Sequence, residues 1–128
     1  AIQVFSRFVS LDYCGSSQPC TLSFTSDQMA GLERVYELRN TYSIASVNMS
    51  LGGGQYFEPC DTHSLKGSID NLRAVGIATI VATGNDGYCA SVAWPGCGRA
   101  RVGMPKLRRM NRPKNARRPH MPPVLMMF

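Results

Sequence analysis

Residues 48–54 read NMSLGGG and residues 81–87 read VATGNDG. Each stretch closes a short run of small and β-branched residues, and each breaks into glycine where a strand would end. The runs behind them are SIASVNMS (43–50) and IATIVAT (77–83), separated by one helix-length segment. Apolar strands alternating with helices predict a parallel sheet covered by helices. Ligands of such sheets bind at the carboxyl ends of the strands, which is where both glycine stops fall.

The helices follow from periodicity. In SDQMAGLERVYELRNTY (26–42), Met29, Leu32, Val35, Tyr36 and Leu38 share one face, Ser26 is the expected cap and Asp27 suits the first turn. In HSLKGSIDNLRAV (63–75), Leu65, Ile69, Leu72 and Val75 form a stripe, with Thr62 as expected cap and Gly76 as stop. AIQVFSRF (1–8) reads as a strand cut at its beginning. VSLDYCGSSQPCTLSF (9–24) and LGGGQYFEPCD (51–61) read as loops. The expected order is β-α-β-α-β with right-handed crossovers. The fold class is α/β, a three-layer, mostly parallel sheet with helices on both faces.

The chain has 128 residues, 44% hydrophobic and 17% charged, the composition of one ordinary globular domain. No apolar run reaches the roughly 18–20 residues of a membrane span, and the first residues carry no signal peptide. The formal charge of +6 conceals a division. Residues 1–97 hold five basic residues against all eight acids. Residues 98–128 hold the other nine basic residues, no acid, five of the eight prolines and five of the seven methionines. Two segments are therefore expected, 1–97 and 98–128.

Neither glycine run is a phosphate loop, because no Gly-Lys-Ser/Thr follows, and neither has the spacing of the dinucleotide fingerprint. Taken together, VNMSLGGG, the following helix, GIATIVATGNDG and SVAWPG resemble the central part of the subtilisin-like serine proteases (subtilases) over residues 1–97. The resemblance implies a partial subtilisin-like fold and a polypeptide substrate. Ser50, Leu51, Gly52 and Gly53 match the stretch whose backbone pairs with substrate as an added strand. The same stretch and Ala82, Thr83 and Gly84 match two walls of the primary specificity pocket. Asn85 matches the asparagine of the oxyanion hole, whose side-chain amide donates to the oxygen that becomes negative in the tetrahedral intermediate. Without the upstream SLGG, GNDG would read only as turn chemistry.

The departures are as informative. A subtilase needs Asp, His and Ser in that chain order, and none of the three family motifs occurs in this chain. His63, in CDTHS, reads as an exposed residue of a helix's first turn, and His120 lies in the tail with no partner in view. The two histidines and five cysteines form no zinc pattern. The family often binds calcium, but no such site can be placed on these residues.

Five cysteines within 97 residues fit a secreted, extracellular parent. Cys14 and Cys20 flank a short polar loop and could pair. Cys89 and Cys97 bracket ASVAWPG and could pair too, leaving Cys60 with a partner outside the chain. The basic tail lacks the interleaved aromatics of a nucleic-acid binder, having only Phe128. Its composition is that of an out-of-frame reading, and it is expected to be disordered. The resulting reading is an inactive piece of a secreted serine endopeptidase. The alternatives are a non-catalytic α/β binding module, a basic-tailed nucleic-acid-binding protein, and an unrelated α/β protein sharing only the layout.

Overall fold

The computed structural model describes residues 1–87 and 90–98, together with the backbone of Val124–Met127. The chain is mixed α/β. Its elements run β1 (Ser6–Phe8), α1 (Leu11–Cys14), β2 (Cys20–Leu22), α2 (Thr25–Leu38), β3 (Ser46–Met49), β4 (Gly53–Tyr56), α3 (Leu65–Ala74), β5 (Ala78–Val81), β6 (Val92–Trp94) and β7 (Val124–Met127).

The central sheet is parallel, in the order β5-β3-β7, with Val47 opposite Thr79 and Leu125. Val47 and Met49 are fully buried, in one core with Leu32 and Val35 of α2 and Leu65, Ile69 and Leu72 of α3. Gln28, Leu32 and Val35 are the i, i+4 and i+7 positions of α2 that turn inward, as Leu65, Ile69 and Leu72 are in α3. Gly76 stops α3 as expected. Its φ of 82° lets its N–H bond Arg73 O (3.0 Å) while the N–H of Ile77 bonds Leu72 O (2.9 Å), the two bonds of a Schellman cap. Buried Ile77 and Leu72 supply the matching apolar pair.

Several expectations are corrected. The first strand is confined to Ser6–Phe8 and pairs antiparallel with β2. It does this because the Cys14–Cys20 disulfide turns the supposed loop back on it. That loop holds α1 and β2, and β7 lies beside β3. Residues 51–61 hold β4, paired antiparallel with β6. The α2 N-cap is Phe24, with Ser26 inside the helix, and the α3 N-cap is Ser64. Thr62 cannot cap α3 because residues 60–63 form a turn, closed by the N–H of His63 on Cys60 O at 3.1 Å. Val75 lies past the buried stripe and is exposed. β5 is not buried on both faces: Ala78 and Ile80 share a face left uncovered, and Ile80 remains 53% exposed.

The Cys14–Cys20 pairing is present. Cys97 bonds Cys60 and not Cys89, so Cys60 has its partner within the chain. Spacing favoured the shorter loop, whereas the fold brings the α3 loop onto the turn after β6. Cys89 lies outside the described residues. Disorder throughout the tail does not hold for Val124–Met127, and residues 99–123 and 128, His120 among them, also lie outside the described residues.

Candidate functional site: a cleft at the strand ends

The N–H of Ala82 bonds Met49 O at 3.2 Å, carrying the β3–β5 ladder one step past both strands. Beyond that step the two chains part, and β6 enters. The N–H of Ala93 bonds Thr83 O at 2.8 Å on one side, and Gly53 pairs with Trp94 on the other.

Both glycine stops meet this strand. A Cβ on Gly52 would lie 2.9 Å from Trp94 O and 3.4 Å from Ala93 Cβ; one on Gly84 would lie 3.0 Å from Ala93 Cβ. Gly84 also has φ +111°, a conformation side chains rarely adopt. The glycines therefore make room for β6. Ala82, Thr83 and Gly84 are in contact with β6 and the turn behind it: a Cβ on Gly96 would lie 3.1 Å from Ala82 O. They do not line the cleft described next.

That cleft, of about 500 Å³, brings Ser50, Leu51, Gly52 and Gly53 together with Asn85. Leu22 and Ser23 at the end of β2 and Gln28 of α2 also line it, as do Tyr56 and Trp94. Among the described residues, none of its lining side chains is an acid, a lysine, an arginine or a histidine. Asn85 is exposed, and its amide makes no hydrogen bond among the described residues. Ser50 Oγ accepts from Asn48 Nδ2 at 2.7 Å.

His63 is not the exposed helix residue expected. It is half-buried and lies flat on Trp94, ring centroids 3.7 Å apart and planes 19° from parallel. Its Nδ1 accepts the N–H of Leu65 at 3.4 Å, serving the first turn of α3 that Ser64 does not cap. Burial lowers its pKa below the ordinary 6.5. The Cys60–Cys97 bond fastens the same turn to the turn that follows β6.

Sequence reasoning missed Trp94, Tyr56, Ser23 and Gln28. Only Gln28 carried a signal, a polar residue at the i position of the stripe continued by Leu32 and Val35. Among the described residues no three His, Cys, Asp or Glu side chains gather as metal ligands, and no helix is long and apolar enough to cross a membrane. Compared with known proteins, the chain matches no family model, no characterised protein sequence and no solved structure.

Proposed function

We propose that this chain is the middle of the peptidase domain of a secreted subtilisin-like serine endopeptidase, and that its cleft holds an extended polypeptide. The observation that carries the reading is the meeting of Ser50–Gly53 and the Asn85 amide, which has no partner among the described residues, on one cleft whose described lining carries no charge. Main-chain groups of Ser50, Leu51 and Gly52 grip the substrate as an added strand. Ala82, Thr83 and Gly84 act as the far wall on which β6 rests. Asn85 donates its amide to the developing oxyanion, a charge that exists only in the transition state.

In this reading the parallel β5–β3 pair belongs to a three-layer domain, whose remaining helices cover the face left open at Ile80. The peptidase unit ends at Cys97. The nucleophile and its His and Asp partners come from elsewhere in the intact enzyme, which acts outside the cell. The chain alone then binds peptide without cleaving it.

The test is titration of the isotope-labelled chain with an N-acetylated, C-amidated oligoalanine, followed by amide NMR. Shifts confined to Ser50–Gly53 and Asn85, no hydrolysis, and an unchanged Kd for Asn85→Ala support the reading. Shifts elsewhere, no binding at millimolar peptide, or hydrolysis by the pure chain overturn it.

A further inference from the structure

The cleft wall built from β2 and α2 contains two polar atoms that the fold buries and leaves unanswered. Gln28 is only 8% exposed, and its Oε1 has no hydrogen-bond partner among the described residues; Ser23 Oγ is likewise buried and without a partner among them. Both residues line the cleft. Buried polar groups are almost always satisfied, and an orphan costs the full desolvation of that group. Leucine at position 28 would continue the Leu32–Val35 stripe without that cost. Glutamine at such a position is a group held ready for something that enters from outside.

The chemistry of the two atoms restricts what enters. Gln28 Oε1 needs a donor. Rotating the carboxamide by 180° presents its NH2 instead, which needs an acceptor, and the Ser23 hydroxyl serves as either. A group carrying donor and acceptor together answers every arrangement. A charged group is disfavoured, because among the described residues no side chain of opposite charge lines the cleft, and an ion without a counter-charge would be desolvated there. An apolar group leaves both orphans unsatisfied.

We propose that Ser23 and Gln28 form a polar, uncharged subsite that takes a carboxamide, the side chain of an asparagine or glutamine in the bound polypeptide. The inference rests on the peptide-binding reading above and adds its selectivity. Gln28 is a specificity residue, and Asn85 is untouched by it.

The experiment uses the full chain and two classes of probe. Propionamide and propionate at equal millimolar concentration are compared by NMR at the Gln28 side-chain NH2 and the Ser23 amide. Acetylated, amidated alanine pentapeptides with a central Gln, Leu or Glu are compared by Kd. The proposal expects propionamide alone to move Gln28 and Ser23. It expects the Gln peptide to bind about tenfold tighter than the Leu peptide, the worth of one buried hydrogen bond, and Glu to bind worst. Gln28→Leu, which extends the apolar stripe and so folds, should reverse the Gln-over-Leu preference and raise the thermal midpoint. Propionamide shifts without any peptide binding would sink the polypeptide reading and leave the carboxamide subsite standing. Peptides that bind with no Gln-over-Leu preference, a preference unchanged by Gln28→Leu, or propionamide and propionate acting alike would overturn the subsite.

Discussion

Gly52 and Gly53 are neighbours in one glycine run, yet the structure assigns them opposite responses to a single methyl group. At Gly52 an added Cβ lies 2.9 Å from the carbonyl oxygen of Trp94, a backbone atom that cannot rotate aside, and 3.4 Å from Ala93 Cβ. Gly52→Ala must therefore push β6 away. Overpacking of this kind costs about 1–3 kcal/mol. Replacing glycine also reduces the entropy of the unfolded chain, worth about 0.4–1 kcal/mol in the opposite direction. The net expectation is a loss of roughly 1–2 kcal/mol. At Gly53 nothing lies within 4 Å of the added carbon, and its φ is not in the left-handed range. Gly53→Ala should keep the entropic gain and stabilise the chain by about 0.4–1 kcal/mol. Urea unfolding followed by Trp94 emission separates the two. With a slope of about 1–3 kcal/mol per molar, the midpoints of the variants should lie on opposite sides of the parent, on the order of 1 M apart. If both substitutions move the midpoint in the same direction, β6 does not lie against Gly52, and the account of the glycine stops is wrong.

Two further outcomes follow from the anchors of β6. Because burial depresses the folded-state pKa of His63 below 6.5, the stability it contributes is complete above pH 6.5 and is lost as pH falls through the depressed value; the thermal midpoint should drop over that window, and His63→Phe, which keeps the stacked ring without a titrating nitrogen, should remove the drop. Loop closure gives the Cys60–Cys97 bond, 37 residues apart, about 4 kcal/mol against about 2 for Cys14–Cys20, 6 apart, so Cys60→Ser should shift calorimetric unfolding about twice as far as Cys14→Ser, and equal shifts would refute the ranking.

What could be read in the sequence divides by range. The helical stripes of α2 and α3 and the stop at Gly76 are local patterns of period 3.6, and they stand nearly as written. The strands β3 and β5 are also local, as apolar runs ending in glycine. β4 was invisible because Gly53-Gly54-Gln55-Tyr56 has no alternation, and its partner lies far along the chain, where Gln55 Nε2 meets Ser91 Oγ at 3.0 Å across 36 residues. The same non-locality hid the Cys60–Cys97 bond, since spacing along the chain favours near cysteines over those the fold brings together. Site residues divide in the same way. Ser50–Gly53 and Asn85 follow glycine-terminated strands and meet in the cleft. Ala82, Thr83 and Gly84 follow the same rule, yet they lie against β6, because nothing in their own sequence announces a strand between the two walls.

That intervening strand explains why so much of this chain converges on so few residues. Val92–Trp94 is three residues long, too short to hold itself in place by its own ladder. The fold fixes it from several sides. The Thr83 carbonyl holds Ala93, Gly53 pairs with Trp94, Gly52 and Gly84 let both neighbouring backbones close to contact distance, His63 covers the indole, and the Cys60–Cys97 bond ties down the turn that follows. Each restraint comes from a segment that also shapes the cleft or caps α3. A change at any of them is transmitted to Trp94, which lines the cleft. Trp94 is the single tryptophan of the chain, so its emission reports on all of these restraints at once. The two glycine stops are thus the contact surfaces of one short strand, and the cleft wall that Trp94 forms is only as rigid as the anchors of that strand.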